Sequence, residues 1–115
     1  MSRIKVFVTG GTFDKNYNYI NGELFFEKTH IPKMLKRAKC RLDVSVEQLM
    51  LIDSLEMNDS QLKLIEEACL KCKSKLIVIT HGTDTMTNTA KFLIKANIQD
   101  KVIVITGAMV PYAFG

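Results

Sequence analysis

The sequence predicts an α/β fold, namely a three-layer Rossmann- or flavodoxin-like domain around a mostly parallel sheet. Strand-like apolar segments alternate with helical patterns, which is typical of successive strand–helix–strand units with right-handed crossovers. Segments such as Leu76–Thr80 and Val102–Thr106 are apolar nearly throughout, which indicates a sheet covered on both faces. Three segments end in a threonine and a glycine-containing turn: VFVTGGT, IVITHGT and VIVITGAM. We expect those turns to meet at one edge, where open α/β sheets bind ligands.

The first part of the chain predicts a strand followed by a small hairpin. Ile4–Thr9 is mostly β-branched or aromatic and is interrupted by Gly10-Gly11, which indicates a buried strand with a sharp end. Beyond it, Asn21-Gly22 is flanked by YNYI and ELFF, the pattern of a type I′ β-hairpin. We therefore expect a β-hairpin flap after the first strand.

A basic helix follows the flap in the prediction. Thr29 is the expected cap of a helix that continues to about Cys40, with Pro32 tolerated in its first turn. The outer face of this helix would carry Lys33, Lys36, Arg37 and Lys39. The net charge of +4 is compatible with nucleic-acid binding, but no aromatic residues interleave with these charges as a single-strand platform requires. We therefore expect a solvated helix face and no nucleic-acid partner.

The second half of the chain predicts two helices between three strands. Leu42–Leu51 contains the first of these strands, and the other two are the apolar segments named above. Asn58 and Gln61 have the spacing of a capping box for a helix of about 14 residues. A later helix would run to about Ala96. The expected packed residues are Leu62, Ile65, Cys69 and Leu70 in the first helix, and Ala90, Leu93 and Ile94 in the second.

Bulk properties favour one globular domain over residues 1–115. The chain is 47% hydrophobic and 24% charged, enough for a core without metal or disulfide support. No apolar run approaches the roughly 18 residues of a membrane span, and no signal peptide precedes the first strand, so we expect a cytoplasmic protein without a membrane anchor. Cys69 and Cys72 lie late in a helical pattern, where the helix dipole opposes a thiolate. We expect no redox centre, metal site or cofactor.

The stretch THGTDTM places several polar side chains where a strand passes into a helix. Thr83 or Asp84 could simply be the N-cap of that helix, but a cap needs one side chain. Here four polar residues crowd one turn: His81, Thr83, Asp84 and Thr85. A carboxylate beside hydroxyl and amide donors would suit a zwitterion, with Asp84 facing the ammonium group. His81 alone is weak evidence for a base or a metal ligand, and a hydrogen bond to a backbone carbonyl would explain it equally well.

Four stretches together resemble the L-asparaginase family of amidohydrolases. They are VFVTGGTFD, IDSLEMND, VITHGTDTM and VITGAMVP, and they occur in the family's order over essentially the whole chain. The first of them lacks the glycine spacing of a dinucleotide-binding loop or a P-loop. The resemblance implies that residues 1–115 correspond to the family's N-terminal domain, with no counterpart of its C-terminal domain.

The resemblance also implies a two-step hydrolysis of asparagine to aspartate and ammonia through an acyl-enzyme ester. Thr12 matches the threonine nucleophile, and Thr83 matches a threonine of the group that prepares the attacking species. A threonine hydroxyl requires such help, because it must lose its proton to a neighbouring base. The flap corresponds to a lid that normally carries a tyrosine beside the nucleophile, for which Tyr17 and Tyr19 are both candidates. Cross-strand packing in the hairpin would explain either tyrosine equally well.

Substrate-binding positions follow from the same resemblance. Asp84, which also belongs to the catalytic set, matches the aspartate that binds the substrate's α-amino group, and Ser54 matches a serine that holds the α-carboxylate. Gly11, Gly82 and Thr83 complete the predicted pocket, with backbone N–H groups near the two turns as candidates to stabilise the oxyanion.

Departures from the family pattern leave three functions open. The chain has no counterpart of the lysine that assists Thr83, and Leu55 and Val110 stand where members often carry a glutamine and an arginine. The leading expectation is an asparaginase that acts on asparagine and forms a homodimer or a larger homo-oligomer. One alternative is a catalytically impaired amino-acid-binding or regulatory module that uses the same pocket. The other is a subunit of a tRNA-dependent amidotransferase.

Overall fold

The computed structural model describes residues 3–17, 20 and 23–114 of the chain. The strands are β1 (Ile4–Gly10), β2 (Lys15–Tyr17), β3 (Leu24–Phe26), β4 (Val44–Ile52), β5 (Leu76–Thr80) and β6 (Val102–Thr106). The helices are α1 (Ile31–Arg37), α2 (Asp59–Lys71) and α3 (Met86–Lys95), and short 3₁₀ turns cover Thr12–Asp14, Ser54–Glu56 and Tyr112–Phe114. None of these helices is both long enough and apolar enough to cross a membrane.

Four strands form a parallel sheet in the order β4-β1-β5-β6. In this register Val6 lies beside both Val46 and Val78, and Val78 lies beside Val104. From β1 the chain crosses to β4 on one side and then returns to β5 on the other side. The direction of strand addition therefore reverses between β1 and β5. Such a switch point leaves a crevice at the carboxyl ends of the two strands, where α/β proteins place their ligands.

Helices cover both faces of the sheet. On one face, Phe7 and Ile79 pack with Ile65 of α2 and Leu93 of α3 in a buried cluster. The opposite faces of the strands contribute a second cluster, in which Val6 and Val8 pack against Ile31 of α1. Alternate residues of β1 thus enter different apolar layers, as the two-residue period of a strand requires. The prediction of a three-layer α/β fold with a parallel sheet is confirmed.

Several predicted boundaries are confirmed because local signals specify them. The bounds of β5 and β6 agree with the two apolar segments that the sequence indicated. The capping box of α2 is present: Asn58 Oδ1 accepts from the Gln61 N–H at 3.2 Å, and Gln61 Oε1 accepts from the Asn58 N–H at 2.8 Å. Each partner satisfies a donor that the start of the helix leaves free.

The predicted limits of α1 were wrong at both ends. Pro32 lies in the first turn as expected, but the N-cap position belongs to His30 rather than to Thr29. The helix ends at Arg37, and Lys39 then adopts a positive φ of 54°, a conformation that continues no right-handed helix. Thr29 lies one residue before His30, where its Oγ accepts from the Ile31 N–H at 3.2 Å and its hydroxyl proton is donated to Asp14.

The packed faces of α2 and α3 agree with the prediction only in part. Ile65, Cys69 and Leu93 are buried, whereas Leu70 is 53% exposed and Ile94 is 76% exposed. In α3 the residue that shares the buried face with Leu93 is Thr89, one helical turn earlier. Ile94 points about 100° away from Leu93, since one turn holds 3.6 residues. The orientation of α3 about its axis therefore buries Thr89 and leaves Ile94 exposed.

A two-stranded antiparallel sheet follows the first turn. Lys15 pairs with Phe26, and Tyr17 pairs with Leu24. This pairing confirms the β-hairpin flap after the first strand. The predicted turn residues Asn21-Gly22 lie outside the described residues, so the type of the turn remains a prediction.

We expect Ile65→Ala to lower the free energy of unfolding by about 2–5 kcal/mol, because it opens a cavity between α2 and the sheet. Ile65 is fully buried in the cluster that also contains Phe7. The neighbouring Leu64 is 43% exposed, so Leu64→Ala is a matched control with a smaller expected loss. Urea unfolding followed by circular dichroism measures both, and equal losses would contradict the assigned packing.

Candidate active site

The turn after β1 fits only because two of its residues are glycines. Gly10 and Gly11 have φ values of 121° and 93°, which L side chains rarely adopt. A Cβ on Gly10 would lie 2.3 Å from the Ile52 carbonyl oxygen, and a Cβ on Gly11 would lie 2.6 Å from the Gly82 nitrogen. The turn is therefore inserted between the ends of β4 and β5, with Thr12 as the next residue.

The end of β4 brings Ser54 to the same edge. Ser54 begins a 3₁₀ turn and is 5% exposed, and no described residue forms a hydrogen bond with its Oγ. A Cβ on Gly82 would lie 2.7 Å from this Oγ, so the hydroxyl lies directly against the backbone after β5. The Thr85 hydroxyl donates to the Ser54 carbonyl oxygen at 3.0 Å and fixes the turn from the other side. An unsatisfied buried hydroxyl is unusual, which makes Ser54 a candidate ligand contact.

An ion pair links the first turn to the turn that carries Ser54. Lys15, just beyond the 3₁₀ turn after β1, pairs its ammonium group with the carboxylate of Asp53. The Gly11 N–H also donates to the Ile52 carbonyl oxygen at 3.2 Å. The Gly11 N–H is therefore already used within the fold.

The carboxyl end of β6 supports the turn that carries Thr83 and Asp84. The His81 N–H donates to the Thr106 carbonyl oxygen at 2.8 Å, which keeps β5 and β6 paired up to the turn. A Cβ on Gly107 would lie 2.3 Å from the His81 carbonyl oxygen and 3.3 Å from Thr83 Cγ2. Thr83 is half-buried and Asp84 is exposed.

Neither Thr83 nor Asp84 is the N-cap of α3. The helix α3 begins at Met86, and Thr85 occupies its N-cap position without a capping hydrogen bond from its side chain. Asp84 therefore lies before the cap, at the open edge of the sheet. The Thr12 turn and the Thr83–Asp84 turn are adjacent through the backbone contact of Gly11 with Gly82.

The two tyrosine candidates occupy different places in the flap. Tyr17 is the last residue of β2 and pairs with Leu24 across the hairpin. Tyr19 lies outside the described residues. A catalytic role for either tyrosine remains a prediction.

The His81 ring is buried and hydrogen-bonded at both nitrogens. Its Nδ1 lies 2.7 Å from the Gly82 carbonyl oxygen, which can only accept, so Nδ1 carries a proton. Its Nε2 lies 2.7 Å from the Thr89 hydroxyl and accepts from it when the ring is neutral. Burial lowers the pKa of His81 below its usual 6.5, and the hydrogen bond to Gly82 opposes this shift only in part. His81 thus orients the Gly82 carbonyl, the role that the sequence had left open.

Sequence reasoning missed several supports of this edge. Thr85 was noted only as one of four crowded polar residues, and its bond to the Ser54 carbonyl joins segments 31 residues apart. Thr89 appeared as an ordinary helix residue but is the partner of His81. Asp14 carries a buried carboxylate two residues after Thr12, and no periodic pattern distinguishes it. These contacts join distant parts of the chain, so only the tertiary arrangement reveals them.

Comparison with protein families agrees with this geometry. The sequence profile of the family described as "Asparaginase, N-terminal" matches residues 3–114. The chain is 36% identical over 121 residues to the "Probable L-asparaginase periplasmic" of Haemophilus influenzae and 35% identical over 119 residues to "L-asparaginase 2" of Escherichia coli. Each alignment covers 96% of this chain and 34% of the relative.

The fold is also similar to those of solved L-asparaginase structures. A probable cytoplasmic L-asparaginase from Campylobacter jejuni superposes with a TM-score of 0.78 at 32% identity, over 98% of this chain and 36% of that one. L-asparaginase I from Vibrio cholerae superposes with a TM-score of 0.80 at 25% identity, over 97% of this chain and 35% of that one. The chain belongs to the asparaginase family. It spans 34% of the length of the curated relatives that it matches.

We expect the protein to lose stability as the pH falls below about 6.5, because the unfolded chain binds a proton at histidine more readily than buried His81 does. The penalty grows from the unfolded pKa downward and is complete below the lowered folded pKa. Urea unfolding at neutral pH and at about pH 5.5 measures the loss. His81→Gln retains a side-chain donor and an acceptor but cannot titrate in this range, so an unchanged pH dependence in that variant would assign the effect elsewhere.

Proposed function

We propose that the protein hydrolyses the side-chain amide of asparagine to aspartate and ammonia, with the Thr12 hydroxyl as the nucleophile. The observation that carries the proposal is the buried Ser54 hydroxyl, which has no partner among the described residues and lies against Gly82, next to the Gly11 turn. A ligand at this point would complete its hydrogen bonding. The named relatives are L-asparaginases, which supports asparagine as the substrate.

The polar groups along the edge suit the two ends of an α-amino acid. The exposed carboxylate of Asp84 is placed to bind the substrate's ammonium group, while the Ser54 hydroxyl is placed to bind its carboxylate. A zwitterion held at both ends would leave its side-chain amide free to reach Thr12. Such two-point binding converts the attack into an oriented, intramolecular-like step.

Chemistry at Thr12 requires a base and a donor for the oxyanion. Thr83, adjacent to the glycine that contacts the Thr12 turn, is the residue we assign to proton removal, acting together with its surroundings. The Gly11 N–H is already bonded to Ile52, so oxyanion stabilisation falls to other backbone N–H groups of the Thr12 and Gly82 turns. The attack forms the acyl ester as ammonia leaves, and water then releases aspartate.

We expect Thr12→Ala to reduce the rate of ammonia release from asparagine by a factor of about 10³ or more, because a covalent route without its nucleophile is lost. Thr12→Ser keeps a hydroxyl and should retain part of the rate. An enzyme-coupled ammonia assay measures the series. Turnover that is equal in the wild type and in Thr12→Ala would show that another group is the nucleophile.

Isothermal titration calorimetry with aspartate measures binding at the same site, separately from turnover. Ser54→Ala and Asp84→Asn should each weaken binding by about tenfold or more, since each removes a partner of a charged group. Asp100→Asn changes an exposed carboxylate far along the chain and should leave binding unaltered. Binding that depends on Ser54 and Asp84 without any ammonia release would indicate the amino-acid-binding module instead.

We propose that this reaction takes place in the cytoplasm. The structural relative from Campylobacter jejuni is described as cytoplasmic, whereas the curated relative from Haemophilus influenzae is described as periplasmic. The cysteines Cys40, Cys69 and Cys72 are all free, which suits a reducing compartment.

We also propose that two or more copies of the chain associate. Val102 and Val104 on β6 are 59% and 50% exposed, and Val104 lies beside Val78 in the register of the sheet, so apolar surface extends along this face of the described edge strand. Contiguous exposed apolar surface is typical of association sites. We expect light scattering after size exclusion to give at least a dimer mass, and a monomer mass at every concentration would contradict this.

A further inference from the structure

A buried carboxylate that the proposed reaction does not use closes the base of the flap. Asp14, the last residue of the 3₁₀ turn that begins at Thr12, has no exposed surface. Its Oδ1 accepts from the His30 backbone N–H at 2.7 Å, and its Oδ2 accepts from the Thr29 hydroxyl at 3.0 Å. Burying a carboxylate is costly unless its oxygens find donors, so the two donors hold the carboxylate in one defined position.

The partners of Asp14 lie at the opposite end of the flap. Asp14 immediately precedes β2, whereas Thr29 and His30 follow β3 and lead into α1. The His30 ring forms a second link across the same gap, because its Nε2 lies 3.1 Å from Asn16 Oδ1. An amide oxygen only accepts, so this nitrogen carries the donated proton. We call Asp14, Asn16, Thr29 and His30 the flap clasp.

The same residue also closes the turn that contains Thr12. The Asp14 backbone N–H donates to the Gly11 carbonyl oxygen at 3.2 Å, and Thr12 lies inside that turn. Next to it, the Phe13 ring packs at 5.5 Å from the Tyr112 ring. The Tyr112 ring also lies 5.6 Å from the His30 ring. Both residues that follow Thr12 are therefore held by groups from later in the chain.

The environment of Asp14 shows how strongly the clasp depends on its hydrogen bonds. Burial, the largest effect, raises the pKa of Asp14, and the bonds from His30 and Thr29 oppose that rise. The two donors thus replace part of the hydration that the carboxyl group loses on burial. Thr29 is itself positioned, since its Oγ accepts from the Ile31 N–H at 3.2 Å.

We propose that Asp14 is a positioning residue, which holds the Thr12 turn and both ends of the flap in one arrangement through the flap clasp. The connection to catalysis rests on the proposed function, whereas the clasp itself does not. Asp14 bonds to protein donors rather than to the substrate, so its loss reduces how often the Thr12 hydroxyl is correctly placed. The expected kinetic signature is a fall in kcat with little change in KM.

Amide hydrogen exchange measured by NMR tests the clasp without any need for activity. In Asp14→Ala and in Thr29→Val, exchange at the His30 N–H should become faster by about tenfold or more, as expected when a bond to a charged group is lost or weakened. The amide signals of Gly11 and Thr12 should shift in both variants. Thr29→Ser retains the hydroxyl, and Asp100→Asn alters an exposed carboxylate, so both should match the wild type.

The kinetic arm tests the effect on the Thr12 turn. We expect kcat for ammonia release to fall by about tenfold in Thr29→Val, a variant that leaves Asp14 in place and avoids an empty buried site, with KM nearly unchanged. Unchanged His30 exchange in both variants would overturn the clasp. Faster exchange with unshifted Gly11 and Thr12 signals and an unchanged kcat would overturn the positioning role. An inactive wild-type protein would count against the proposed function, while the exchange and shift data would still decide the role of Asp14.

Discussion

The close approach of the Gly11 backbone to the Gly82 backbone is the constraint on which the rest of the structure depends. A Cβ at Gly11 would come within 2.6 Å of the Gly82 nitrogen, and a Cβ at Gly82 would come within 2.7 Å of Ser54 Oγ. Three chain segments therefore meet with no room for side chains between them. The sheet order makes this possible, because β1 and β5 are neighbours while the chain leaves them in opposite directions. The turns that carry Thr12, Ser54 and Thr83 are therefore neighbours at one edge of the sheet.

Buried polar groups stabilise this edge, and they do so unequally. The His81 ring and the Asp14 carboxylate are both almost fully buried, and each is matched to two partners inside the protein. The Ser54 hydroxyl is also buried yet lacks a partner among the described residues. Since an unsatisfied buried group costs free energy, the first two support the fold, and the third is free to take a ligand.

Local signals were sufficient for much of the secondary structure. The apolar runs of β5 and β6 and the capping box of Asn58 and Gln61 specify their elements through neighbouring residues alone, and their bounds were predictable. Predictions that needed the rotation of a helix about its axis failed, as at Leu70 and Ile94. That rotation depends on which surface the helix packs against, and spacing within the helix does not contain this information. The contact of Thr29 with Asp14 was missed for a different reason, since the two residues lie 15 positions apart in the chain.

The chemical character of the edge is a property of the sequence: the threonines, Ser54, Asp84 and the glycines occur in motifs that are recognisable without coordinates. The arrangement of these residues in space cannot be recognised from the motifs alone. The order of the four strands and the contact of the Gly11 turn with the Gly82 turn join residues that are distant in the chain. Such contacts depend on packing the whole sheet between its helices, because a residue's neighbours across strands are set by topology rather than by local propensity.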